Sequence, residues 1–322
     1  MALPPDPTGV VEIPGPWQNR YVAANGARFH VVEATPPQST GQTDPSRPLV
    51  LLLHGFPEFW WCWRDQLPAL AAHGYRAVAM DLRGYGGSDK PPRGYDPVTL
   101  AGDVAGVVKA LGGRRAVIVG QGWGGYVGWA AAALHPREVA GLCAVAAPHP
   151  LVMLPILLSG FRSPRTVGAL TQVLSMQAPF VPERRLSRPT STYVADHLRS
   201  WSSPASSFPD PQTAQRYHDA LALWPASHCA LEYHRWLVRS RVRADGRRFN
   251  TLMEPPVTVP VCAIHGADDP AVPVRGSARS RDRVDAAFES HVLRGCGHFP
   301  HEEDPDAFNA VLLPWLEKVT SS

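Results

Sequence analysis

The sequence contains no apolar run long enough to cross a bilayer. Its most apolar window, residues 142–158, is interrupted by Pro148, His149, Pro150 and Pro155, too short and too broken for a membrane span. Cysteine is scarce. The five residues Cys62, Cys143, Cys229, Cys262 and Cys296 are odd in number and lack metal-ligand spacing, so they read as free thiols of a reducing compartment. Strong net charge is missing too: +3 over 322 residues gives no ground for a nucleic-acid partner. Residues 1–16 hold neither a basic segment nor an apolar stretch, so no secretory signal is expected. These absences place the chain in the cytoplasm, without a transmembrane segment.

What is present is an ordinary soluble composition, 44% hydrophobic and 18% charged, with 34 prolines. The charge is uneven. Residues 161–256 carry thirteen Arg, no Lys and seven Asp or Glu, a net of about +6 that either solvates a surface or attracts an anionic substrate, partner or membrane. Two β-rich runs flank Asn25-Gly26, a dipeptide suited to a tight hairpin turn. Residues 35–48 read as a surface loop. The wholly apolar 49–53 reads as a central parallel strand, followed by a helix near 65–73, a strand at 77–80, a helix over 99–111, a strand opening the stretch 116–128 and a strand at 139–147. From 149 to about 256 amphipathic helical pieces such as 230–241 replace this alternation. It then resumes with a strand at 259–264, a helix around 277–287, a strand at 291–293 and a helix over 304–318. The expected class is α/β, a mostly parallel sheet flanked by helices, with core parts at 1–148 and 257–322 and a helical cap inserted at 149–256.

The densest signal is residues 116–128, AVIVGQGWGGYVG. It reads as strand, sharp turn and helix. Gly120, Gly122 and Gly125 also satisfy a dinucleotide fingerprint, but the next strand ends without the acidic residue that would hold a ribose. No cofactor or metal motif is found. The spacing Gly-x-nucleophile-x-Gly is similar to the nucleophile elbow of α/β-hydrolases, with Gly122 where the attacking side chain would stand. Asp269 follows the penultimate strand and His298 the last one, the chain order of an acid and a histidine in such a site. Asp268 is the alternative acid. Backbone amides of Phe56 and Trp123 are the candidate oxyanion donors, and Cys62 and Cys296 the candidate displaced nucleophiles.

The segments HGFPEFWWCW, DLRGYGGSDKP, VGQGWGG, APHP, GADD and GCGHFPHEEDP together resemble the epoxide hydrolase branch of the α/β-hydrolases. The resemblance implies an elbow Asp that opens the epoxide as an ester, a His–Asp pair that activates water, and two cap tyrosines that protonate the departing oxygen. It implies Gly-His-Asp-Trp-Gly at the elbow, where this chain has Gly120-Gln121-Gly122-Trp123-Gly124. In the cap, Tyr233 and His234 fall where one tyrosine is implied, and the other tyrosine has no equivalent.

Two functions remain open on these residues. One is a hydrolase in which His298, oriented by Asp269, activates water without a covalent elbow nucleophile, on an apolar small molecule, neutral or acidic, such as an ester, thioester or lactone. The other is an inactive binding protein for a ligand or partner. A homo-oligomer is compatible with either.

Overall fold

The structure is a computed structural model that describes residues 7–34, 47–153 and 164–321. Most of the loop expected at 35–48 lies outside the described residues. A short helix α1 (Pro7–Val11) precedes the hairpin of β1 (Trp17–Ala24) and β2 (Ala27–Ala34). Asn25 at φ 45° and Gly26 at φ 73° make the expected two-residue turn. Next come β3 (Leu49–Leu53), α2 (Gln66–Ala72), β4 (Arg76–Met80), α3 (Pro97–Ala110), β5 (Ala116–Gln121), α4 (Trp123–Leu134) and β6 (Val139–Val145). Asp96 caps α3 by accepting from the Thr99 amide, with Pro97 in the first turn.

Between β6 and the next strand the described residues form helices and no strand: α5 (Pro164–Ser175), α6 (Val181–Ser187), α7 (Tyr193–Trp201), α8 (Pro211–Ala222), α9 (Ala226–Arg239) and α10 (Ala244–Leu252). The chain finishes with β7 (Val261–Gly266), α11 (Arg275–Ser280), β8 (Phe288–Leu293), α12 (Pro300–Glu303) and α13 (Pro305–Thr320). Three expectations need correction. The strand expected through residue 147 stops at Val145, because Ala146 turns to φ 50°. The helix expected to 287 ends at Ser280 and becomes a 3₁₀ turn over Arg281–Arg283. β8 begins three residues early; as an edge strand it is only half-buried and lacks the apolar run that marks a central strand. Among the described residues no helix is long and apolar enough to cross a membrane.

The eight strands pair in the order β1-β2-β4-β3-β5-β6-β7-β8. β2 runs antiparallel to both of its neighbours, β1 and β4; from β4 to β8 the ladder is parallel. Every residue of β3, β4 and β5 is buried, so the central sheet is covered on both faces. The chain leaves β3 toward β4 and returns to β5 on the other side of β3. That reversal opens a crevice at the carboxyl ends of β3 and β5, where ligands bind in open α/β sheets.

The close approach of α4 to the sheet is made by glycine. A Cβ on Gly120 would lie 2.4 Å from the Gly124 backbone, one on Gly124 would lie 2.2 Å from the Leu53 carbonyl oxygen, and one on Gly125 would lie 2.4 Å from the Ala147 Cβ. No side chain fits at these crossings. Gly124→Ala should therefore cost about 3 kcal/mol or more of unfolding free energy, read from urea midpoints. Gly168→Ala, in α5 with nothing within 4 Å of its would-be Cβ, should instead stabilise by roughly 0.5–1 kcal/mol.

Candidate active site

Four loops meet at the carboxyl edge of the sheet. The loop after β3 brings Phe56, the turn after β5 brings Gly122 and Trp123, the loop after β7 brings Asp269, and the loop after β8 brings His298. Gly122 has φ 51° and ψ −113°. This positive φ strains any residue with a Cβ by about 1–3 kcal/mol, and glycine adopts it freely. The Gly122 amide donates to the Val145 carbonyl at 3.0 Å, which ties the turn to β6.

Nδ1 of His298 donates to Oδ2 of Asp269 at 2.8 Å. A carboxylate only accepts, so this bond puts the neutral imidazole's proton on Nδ1 and leaves Nε2 with its lone pair. Nε2 points at the elbow: a Cβ on Gly122 would sit 3.4 Å from it. Asp269 is itself fully buried. Its Oδ1 accepts from the amides of Ala271 and Val272 at 2.8 and 2.9 Å. Burial alone would raise the Asp269 pKa, but the adjacent His298 and hydrogen bonds from His265 and His298 hold it well below the carboxylate range. Asp268, the alternative acid, accepts instead from the Ser203 hydroxyl at 2.6 Å. A second His–Asp pair, His30 with Asp81, is equally short at 2.8 Å. The other His30 nitrogen meets the Asn19 side chain at 3.0 Å.

Above the elbow lies a cavity of about 110 Å³, lined by Phe56, Gly122, Trp123, Tyr126, Trp201, His234 and His298 together with aliphatic side chains such as Leu237 and Val272. Its wall is apolar. Among the described residues no arginine lines it. Arg235, for example, is buried against Glu183 at 2.8 Å.

The two candidate proton donors from α9 do not serve as such. Tyr233 is turned away from the cavity and its hydroxyl donates to the Arg83 carbonyl at 2.7 Å. His234 does line the cavity, but its Nε2 accepts from the Trp123 indole at 3.0 Å and its Nδ1 is directed at the Ala230 carbonyl, 3.3 Å away. Burial pushes its pKa down to about 4, so it is neutral and already engaged. Neither cysteine replaces the elbow nucleophile. Cys62 and Cys296 are buried and outside the cavity wall. Burial pushes the Cys296 thiol up to about 12, with nearby Glu303 adding to the effect, and a thiol that keeps its proton is a poor nucleophile.

Several contributors escaped the sequence reading. The Gln121 side-chain amide donates to the His298 carbonyl at 2.9 Å, joining the elbow to the histidine loop. Glu303 accepts from the amides of Gly297 and Phe299, on either side of His298, at 2.9 and 3.0 Å, and from Ser203 at 2.7 Å. Its signal was the acidic run after GHFPH, three-dimensional only once the loop folds back. Glu58 and Cys62, four residues apart, and the distant His301 bring ligand-type atoms within 4.8 Å of one another. Burial and nearby Glu302 push Glu58 well up, while burial holds His301 down and Cys62 up. That cluster is stable as three uncharged groups.

The comparisons with known proteins follow this geometry. A family model described as the alpha/beta hydrolase fold matches residues 48–305. This chain belongs to the α/β-hydrolase fold family. Epoxide hydrolase A of Mycobacterium tuberculosis is 31% identical over 326 residues, covering 92% of this chain and 96% of that one. Epoxide hydrolase B of the same organism is 46% identical over 132 residues, but that match spans 40% of this chain and only 35% of the relative. Among solved structures, an epoxide hydrolase from an endophytic Streptomyces superposes with a TM-score of 0.75 at 28% identity, covering 96% and 98% of the two chains. This α/β-hydrolase thus has epoxide hydrolase homologues.

His234 supplies a test of its burial. Unfolded histidine titrates near 6.5 and the folded group at about 4. The unfolded chain therefore binds the extra proton between these values, and stability falls as pH drops through that window. His234→Gln should remove roughly 2 kcal/mol of the loss between pH 7.5 and pH 5, measured as urea midpoints at both values. Parallel losses in the two proteins would show that His234 is not held neutral.

Proposed function

We propose that this α/β-hydrolase is a hydrolase of apolar small molecules that works without a covalent elbow intermediate. The observation that carries this is the free Nε2 of His298, backed by Asp269 and directed at the open space over Gly122. A water placed there would lose its proton to Nε2 as it attacks, and the imidazolium so formed is stabilised by the buried Asp269 carboxylate. The amides of Phe56 and Trp123, both on the cavity wall, would hold the negative charge that develops on a carbonyl or ring oxygen. Gly122 stands where epoxide hydrolases of this fold are implied to carry their nucleophilic Asp, so esters, thioesters and lactones are better candidates than epoxides. In this reading residues 149–256 act as a cap over core parts 1–148 and 257–322, and their arginines serve the surface rather than the substrate.

A second reading, an inactive ligand-binding protein, is favoured by one observation. Both Tyr233 and His234 have their donors committed elsewhere, so neither supplies the cavity with an acid for a leaving group. Turnover of activated aryl esters, thioesters and aryl epoxides by the purified protein separates the two. We expect ester or thioester turnover, with His298→Ala lowering kcat/KM by about 10²–10⁴-fold and Asp269→Asn by a comparable factor. An intact fold with no turnover of any of the three substrates would leave the binding role.

A further inference from the structure

The groups around Gly122 share one preference, which is for an anion. Helix α4 is twelve residues long and starts at Trp123, so its first amides and the positive end of its dipole face the turn. The Phe56 loop closes the same corner from β3, and both residues line the cavity. An independent observation comes from His298. Its side chain is only 7% exposed, its Nδ1 is committed to Asp269, and its Nε2 has no partner among the described residues while facing the Gly122 position at 3.4 Å. Among the described residues no carboxylate lines this corner of the cavity to satisfy it. On an elbow bearing Asp, the side-chain carboxyl would itself fill the space between Nε2 and the amides.

We propose that this protein binds a free carboxylate at that position, the ligand being an apolar monocarboxylic acid. One carboxylate oxygen accepts from the Phe56 and Trp123 amides and the other from His298 Nε2, while the hydrocarbon body lies along Trp201, Leu237 and Val272. A carboxylate can only accept, so Nε2 carries a proton in the complex. The arrangement forms a charge pair inside an apolar wall, with hydrogen bonds on both oxygens. That is the condition under which a buried pair is favourable. The assignment rests on the same His298–Asp269 geometry as the hydrolase reading but not on turnover. Under that reading, such an acid is what hydrolysis of an apolar ester releases.

The test is isothermal titration of the full chain with sodium hexanoate and, in parallel, hexan-1-ol. We expect hexanoate to bind at least about tenfold more tightly than the alcohol. Gly122→Asp, which supplies the chain's own carboxylate, should weaken hexanoate by about tenfold or more while leaving the alcohol within about twofold. His298→Gln should weaken hexanoate alone, and it decides the matter if Gly122→Asp does not fold. Equal affinity for acid and alcohol, or hexanoate binding unchanged in a folded Gly122→Asp, overturns the proposal. Turnover is scored separately. Hexanoate binding without ester turnover supports the carboxylate site and removes the hydrolase; His298-dependent turnover without hexanoate binding does the reverse.

Discussion

The structure depends on how closely one helix can approach one strand. At Gly120, Gly124 and Gly125 the separations are below those any Cβ tolerates, so α4 lies directly on the backbone of β3 and β5 and its first turn is delivered to the edge of the sheet. All else in the site is placed relative to that crossing. The Val145 and Leu53 carbonyls, the Phe56 loop and the apolar wall are fixed by where α4 begins. The β-branched run before the turn and the small residues after it are what make such proximity affordable in packing terms. The glycines at the crossing and the glycine at the turn have different reasons. The first group is demanded by space, whereas Gly122 has room for a side chain and is favoured by its backbone angle.

Around this frame polar groups are held by full satisfaction rather than by exposure. Asp269 is buried yet accepts two amides and an imidazole. Glu303 accepts three amides from two separate loops. Gln121 spans from the elbow to the His298 carbonyl. A buried carboxylate lacking such donors would cost several kcal/mol, so the same bonds that make these groups tolerable also fix the loop that carries His298. Orientation and solvation are one set of contacts.

The fold was largely legible in the sequence because its signals are local. An apolar pentad reads as a buried strand, Asn25-Gly26 as a hairpin, and a glycine-dense turn as a strand-to-helix crossing. β8 reads short in the sequence because Glu289 and Ser290 on an edge strand break the apolar pattern without breaking the ladder. Among the site residues, Asp269 and His298 could be placed from order alone, since each follows a parallel strand. The direction of a side chain on a helix is another matter. Tyr233 and His234 are neighbours in α9, yet one reaches the Arg83 carbonyl and the other the Trp123 indole, and nothing in the pentapeptide that contains them encodes which. Glu303 and the Glu58–Cys62–His301 cluster were invisible for the same reason: their partners lie on loops that meet only after the sheet has formed.

The amide of His298 donates to the carbonyl of Trp201 at 2.9 Å, and a Cβ on Gly297 would lie 2.5 Å from that same carbonyl oxygen. The histidine loop and the end of α7 are therefore joined backbone to backbone, with the Trp201 ring set edge-on to the imidazole. An outward swing of α7 would carry the His298 loop with it or break that bond. The clamp makes the position of His298 a property of the helical segment as much as of the sheet.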